Sequence, residues 1–346
     1  MSGFSGSYDP NDVQFLLQPQ VMQTVSISEK ERLIASGQHY GTLLGSENPP
    51  SQLYQDLFWA TLKRNKAQVA KDVLALALYL QNQQKTVLVS LARGGTPIGI
   101  LLKRTLALLG VKSTHYSVSI IRDHGIDFAA LEFILKRHPD FSLAFIDGWT
   151  GKGVIARELE QSLGVFNATH NCQISSHLHV LSDPSGFAAT AATRLDYLLP
   201  NAMLNATISG LVSRSFLSPH GFHGVMELSE LAQFDVSKPY LENIMSTIAS
   251  LEQPTQVIHA DLAQQKESTA LLLGIAAQHN VGLGLVKPGV GEATRVLLRR
   301  QPKLLLLKAR IPDTLHLENL ATHLCPIIEM DIPYAAIAVI QKGETP

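Results

Sequence analysis

The run Asp147-Gly148-Trp149-Thr150-Gly151-Lys152-Gly153 sets a carboxylate, a hydroxyl, an amine and three glycines within seven residues, directly after the apolar stretch Leu143 to Ile146. A helical pattern then begins at Val154 and continues through Arg157, Leu159 and Leu163. Strand, acid, glycine loop and helix in that order bare backbone N–H groups, and the positive end of a helix, at the carboxyl end of a strand. Such a place suits a phosphate. Asp147 beside it is placed to accept hydrogen bonds from sugar hydroxyls or to meet a magnesium ion. A second loop, Ala92-Arg93-Gly94-Gly95-Thr96-Pro97, follows the apolar run Thr86 to Leu91. There Gly94 and Gly95 permit close backbone approach and Arg93 supplies charge for a diphosphate. Arg122, Asp123, His124 and Asp127 end the intervening strand on the same edge, as candidates to contact the diphosphate or a base, with His124 suited to moving a proton. Asn205, Ser209, Ser213 and Arg214 form a polar run inside an apolar segment, read as a lid over the site rather than a hydrogen-bonded corner, because arginine is costly to leave unpaired in a core.

The elements that must position these loops follow from periodicity. Helical spacing runs from Ser51 to Leu80 with a break expected near Asn65, and strand and helix then alternate three times: Thr86–Leu91, Ile98–Leu109, Ser113–Ile121, Phe128–Leu135, Ser142–Asp147 and the helix from Val154. Short connections of this kind are right-handed and give a parallel sheet with helices on both faces. Beyond them a strand is expected over Gln173–Ser182, a helix over Ala188–Leu198, a strand or buried loop over Ala206–Leu217 and a helix from Pro239 into a linker marked by Pro254. The fold class is therefore α/β, with residues 1–250 forming one domain, residues 1–50 a loop-rich extension of it, and residues 255–346 a second small α/β unit. Lys30 to Ile34 reads as a helical turn.

Composition limits the function. The chain of 346 residues is 45% hydrophobic and 16% charged, with a net charge of −1, so disorder and a global nucleic-acid field are both excluded. Two cysteines rule out a disulfide framework, and neither a signal peptide nor a spanning segment is seen, which reads as a cytoplasmic protein. A homodimer is compatible with the sequence.

The paired loops resemble the type I phosphoribosyltransferases. That resemblance implies a PRPP (phosphoribosyl pyrophosphate) site in which Ala92, Arg93, Gly94, Gly95 and Thr96 take the pyrophosphate. Asp147, Gly148, Trp149, Thr150, Gly151, Lys152 and Gly153 would take the ribose and its 5′-phosphate, with Mg2+ carried by the ligand's diphosphate. A closer resemblance runs through Phe4–Tyr8, Ser90–Gly99, Ser119–Asp123, Phe145–Gly153 and Ser209–Ser215. It is to the phosphoribosyltransferase-like family of bacterial tellurite-resistance and stress gene clusters, some of whose members carry the label cysteine protease StiP. The resemblance implies a phosphoribosyl transfer, with Asp147, Arg93, Arg122 and Asp123 as catalytic residues, serving nucleoside or nucleotide-derivative synthesis. Gly148 stands where that family shows a second acid, so a non-catalytic nucleotide sensor that reports to RNA is the alternative.

Cys172 offers other chemistry. It lies near His170, His177, His179, His220 and His223 in sequence, so a cysteine hydrolase would use it as nucleophile with one of these as base. A metal site would use Cys172, His177 and His179. Neither set has a recognised spacing, and Cys325 reads as a buried apolar residue. Near the carboxyl end, Lys287-Pro288-Gly289-Val290-Gly291-Glu292-Ala293-Thr294-Arg295 resembles the loop and helix of kink-turn RNA-binding ribosomal proteins and the related domain of Pelota. From Lys287 to Arg310 there are seven Lys or Arg (287, 295, 299, 300, 303, 308, 310) against the single acid Glu292. This local excess suits structured RNA. Lys287, Gly289, Gly291, Glu292, Thr294, Arg295 and Arg299 are the expected contacts.

Overall fold

The computed structural model describes residues 4–26, 29, 32–33, 36–83, 85–203, 206–251, 256–308 and 311–341. The expected turn at Lys30–Ile34 falls largely outside them, as do Asn205, Pro254 and Arg310. The larger sheet collects β1 (Gln14–Leu16), β2 (Thr86–Ala92), β3 (Thr114–Ile121), β4 (Ser142–Trp149), β5 (Leu178–Ser182), β6 (Thr190–Thr193) and β7 (Ile258–His259). Their order across the sheet is β1-β3-β2-β4-β5-β6-β7, parallel except for β7. The chain leaves β2 for β3 on one side and then returns to β4 on the other. The order therefore reverses between β2 and β4. At such a switch point the loops after the two strands part and leave a crevice beyond their carboxyl ends.

Two apolar layers hold this sheet. On one face Leu88, Ala144, Ile146 and Leu181 pack under α1 (Gln52–Leu80), α2 (Thr96–Leu108) and α5 (Ser237–Ile248). On the other, Val87, Val89, Phe145 and Val180 meet α3 (Phe128–Arg137) and α4 (Val154–His170). Alternation of buried residues to both faces is what a fully covered parallel strand requires, and it explains the near-continuous apolar runs.

The carboxyl-terminal unit is a second small α/β layer. Its sheet runs β8 (Val286–Pro288), β11 (Ala336–Ile340), β9 (Pro302–Leu307), β10 (Ile327–Glu329), with α6 (Leu262–Gln278), α7 (Val290–Arg299) and α8 (Leu315–Ala321). One face of this sheet packs on α6. The other carries α7 and α8, whose Val290, Val296 and Leu317 join the same apolar cluster as Leu198, Leu199 and Met203. The two units thus share a core.

Two expectations need correction. Helix α1 is one unbroken rod of 29 residues. Asn65 does not interrupt it, because the side chain turns into the core and donates to Leu198 O and Asp313 Oδ1. Residues 188–198 hold no helix; Thr190–Thr193 forms β6, paired on both sides with β5 and β7. Residues 206–217 take the second of the two forms expected there, a buried loop, with one 3-10 turn at Ala206–Ile208. No helix among the described residues is long and apolar enough to cross a membrane.

Candidate functional site

The crevice at the switch point is a cleft of ≈ 760 Å³. Its floor is the carboxyl edge of β2 and β4, and its opposite wall is the carboxyl-terminal unit, through Lys287, Pro288, Gly291, Glu292 and Arg295. Asp147 lies near the carboxyl end of β4 on that floor, two residues before its last. Its carboxyl accepts one hydrogen bond, from Gly148 N at 2.7 Å, and loss of hydration pushes it up to about 7. The residue as a whole is only half-buried, because its remaining surface opens on the cleft rather than on protein.

The glycine loop is built by close contacts. Gly153 takes a left-handed φ of 64° with Phe187 stacked on it, where a Cβ would collide. Trp149 lies across both Gly151 and Gly289 and leaves no space for a side chain at either. Thr150 is buried, and its N–H donates to Ser182 O. Lys152 reaches over the cleft and donates to Leu283 O and Val286 O, at 3.1 and 2.9 Å. Desolvation, reinforced by Lys287, brings this amine down to about 8.

The loop after β2 is more occupied than its sequence suggested. The Arg93 guanidinium, expected on a diphosphate, is paired with Glu47 at 2.5 Å and donates to Val212 O. Thr96 is fully buried and bonded to Ser117 Oγ, so its hydroxyl faces the core. Gly94 does border the cleft, and Gly95 lies against the Ile146 carbonyl. Arg122 and Asp123 stand exposed at the rim, 3.6 Å apart. Asp127 caps α3 through Ala130 N and accepts from His223 N, which makes it structural.

Ser213 and Arg214 are held in a bonded corner, from which Arg214 also borders the cleft. Arg214 donates to Tyr40 O and Leu43 O and covers the Tyr40 ring, while Ser213 Oγ accepts from Met226 N. These bonds satisfy the arginine in a packed corner, the other outcome the sequence allowed. The residues of the carboxyl-terminal loop are also turned from solvent. Gly289 is buried, and Thr294 Oγ1 bonds Val290 O and the His316 ring. Lys266, Arg295, Arg299, Arg300, Lys303 and Lys308 are the exposed Lys and Arg among the described residues of that unit.

Sequence reasoning missed two features. Asp196 is buried at the joint between the units and accepts from Val290 N and Ala335 N. Asn201 donates to Gly94 O and shapes the first loop. Neither has a local motif; both act through residues far away in sequence.

At the other end of α4, Cys172 is half-buried, and its Sγ donates to Asn167 Oδ1 at 3.3 Å. The same Asn167 oxygen accepts from Ile174 N, and its amide donates to Ile174 O, so one side chain frames the turn that holds the thiol. Two residues earlier His170 meets Glu132 at 3.0 Å and stacks on Phe166, with ring centroids 4.0 Å apart. Its Nδ1 faces Thr169 Oγ1 and Phe166 O. Thiol and imidazole stand two residues apart in the chain and make separate hydrogen bonds, the thiol to Asn167 and the imidazole to Glu132, Thr169 and Phe166. The Cys172, His177 and His179 metal set does not form: His177 is exposed, while His179 is buried beside Tyr79. Among the described residues no group of three or more His, Cys, Asp or Glu could hold a metal ion.

Comparison with known proteins bears on these two sites. Residues 6–245 match a family described as tellurite-like stress resistance cysteine protease StiP, and residues 265–342 match the PELOTA RNA binding domain. An Acinetobacter baylyi protein named Cysteine protease StiP is 38% identical over 98% of this chain and 95% of its own length. These matches overturn the expectation of a phosphoribosyltransferase. Both the family and the relative carry the name of a cysteine hydrolase, not of a glycosyl-transferring enzyme. With a match over most of its length and a relative alike from end to end, this chain belongs to the StiP family and carries a carboxyl-terminal Pelota-type domain.

Proposed function

We propose that this chain hydrolyses peptide bonds with Cys172 as its nucleophile. One observation carries the reading. The stretch matched by the cysteine-protease family contains a single cysteine, Cys172. Cys325 lies outside that stretch, and burial pushes its thiol up, which disfavours the reactive thiolate.

The surroundings of Cys172 supply the other parts of a thiol hydrolase. His170 is a base, and Glu132 holds its Nε2 as an orienting carboxylate. For catalysis the imidazole must leave Thr169 and Phe166 O and accept the Sγ proton. The thiolate then attacks the carbonyl carbon, the amine departs with that proton, and water releases the acyl group from sulfur. Asn171, with φ 48°, ends the helix between the two residues, so on this reading the approach of thiol and imidazole requires a change at that turn.

Hydrolysis of a fluorogenic peptide panel tests this. Cys172→Ser should lower the rate by at least about 100-fold, His170→Ala by a comparable factor, and Cys325→Ser should change nothing. Full activity in Cys172→Ser would overturn the reading. For the Pelota-type domain, the matched description supports RNA as a partner, through the exposed Arg295, Arg299, Arg300 and Lys308. Charge reversal there should weaken RNA retention in a salt-dependent way on filter binding.

A further inference from the structure

The turn that opens α7 is spent on the joint between the two units. Trp149 lies across Gly289, and a side chain at Gly291 would press on Ala202 Cβ. Val290 N donates to the buried carboxylate of Asp196. Thr294, one turn on, is fully buried, with its hydroxyl on Val290 O and the His316 ring. Glu292 is held by Arg295 at 2.9 Å. The open side of Gly291 and Glu292 looks into the cleft of ≈ 760 Å³, which has room for a small molecule and not for a folded RNA. In the docked chain, base edges have no approach to this turn.

The outer row of α7 is different. Arg295 and Arg299 stand four residues apart, and so on one side of the helix, with Arg300 and Lys303 following, and all four are exposed. Residues 290–303 carry these four cations against the single acid Glu292, so the row keeps a positive excess. Arg299 donates to Tyr54 Oη at 2.8 Å, which holds its guanidinium beside α1. No ring for base stacking stands on this unit among the described residues. The one Phe, Tyr or Trp between residues 256 and 341 is Tyr334, fully buried with its hydroxyl on Gly151 O. Unpaired bases are recognised chiefly by stacking on such rings and through their edges, and this face offers charge instead. Lys266 stands apart on α6, which covers the other side of the sheet.

We propose, resting on RNA as the partner of this domain, that the partner is double-helical RNA of any sequence. Arg295, Arg299, Arg300 and Lys303 grip its phosphates on the α7 side of the sheet, while the opening turn of α7 serves the joint between the units. A duplex presents phosphates at high density and is held by shape and backbone contacts, with neither stacking rings nor base-edge readers required. A row of guanidinium groups fits such a backbone, because arginine meets phosphate oxygens in a bidentate fork.

Filter binding of the full chain to two RNA duplexes of unrelated sequence, a kink-turn RNA and a single-stranded oligouridine, over a series of salt concentrations, tests the proposal. The duplexes should bind within about twofold of each other and of the kink-turn, and at least about tenfold more tightly than the single strand. Arg300→Ala, at an exposed residue just past the end of α7, should weaken both duplexes by the same factor and lower the slope of log affinity against log salt by about 1. Lys266→Ala should bind as the unaltered chain does. A kink-turn preference of about tenfold or more would overturn the proposal and leave RNA as the partner, because it would place base recognition at the turn. Single-strand binding as tight as duplex binding would overturn it as well. So would an equal loss in Lys266→Ala, which would reduce the effect to diffuse surface charge. Retention of none of the four RNAs would refute RNA as the partner, and the proposal with it.

Discussion

Asp147 shows how a single side chain reports on the cleft. Its carboxyl is pushed up to about 7 by loss of hydration, with one backbone N–H to compensate. The folded state therefore holds the proton more tightly than the unfolded chain. This contribution to stability is fully present below about pH 4 and is lost as pH rises through 7. Asp147→Asn removes a charge that must be desolvated and should raise stability at pH 8 by about 1–2 kcal/mol, discounted for the open side of the cleft, with the advantage shrinking toward pH 4. Urea titrations of both proteins at pH 4.5 and 8 measure it; a constant difference across that range would refute the assignment. The position of Asp147 at a strand end was legible in the sequence, because an apolar run ending in an acid and a glycine loop has few other readings. The partners of Arg93 and Arg214 were not. Glu47 and the Tyr40 and Leu43 carbonyls lie 46 to 174 residues away, and no local pattern announces them.

At the scale of elements, the three strand–helix units were legible because each obeys its own period and ends in glycine or acid. The elements that escaped notice depend on partners. Thr190–Thr193 becomes a strand only because β5 and β7 offer it edges, and Ile327–Glu329 pairs with β9 although all three of its residues are exposed. The loop after β2 makes a sharper test. A side chain at Gly95 would run into the Ile146 carbonyl and the Leu91 backbone. Gly95→Ala should cost about 1–3 kcal/mol and disturb the cleft together with the fold. Gly164, in the middle of α4, has nothing within 4 Å of its Cβ position. Gly164→Ala should be neutral or stabilise by about 0.5–1 kcal/mol, since alanine loses less backbone entropy in a helix. Thermal melts of the pair check both signs at once; equal effects would contradict the packing described.

At the scale of the molecule, the two units are joined by a shared apolar core and by hydrogen bonds between them, among them those of Lys152 and of the buried Asp196. Asp196 accepts from both Val290 N and Ala335 N, and Val290 N has no other acceptor among the described residues. Asp196→Ala would leave these donors unpaired and should cost about 2–4 kcal/mol. The full chain should unfold in one calorimetric transition and Asp196→Ala in two, with the carboxyl-terminal unit melting first; a single unshifted transition would show that the joint does not depend on this residue. A second α/β pattern that starts again after Pro254 was readable in the sequence, but the core it shares with the first was not, because α7 and α8 read as ordinary helices until the surface they cover is known.

If peptide hydrolysis runs through Cys172 as proposed, the acyl group passes through a thioester on its sulfur, and that intermediate can be trapped. The full chain, mixed with a slowly deacylated activated ester of a peptide and quenched in acid, should carry the acyl mass on the tryptic peptide containing Cys172. Little label is expected on the peptide containing Cys325, and none at Cys172 after its replacement by serine. Label on Cys325 alone, or peptide turnover with no acyl group on either cysteine, would contradict the account.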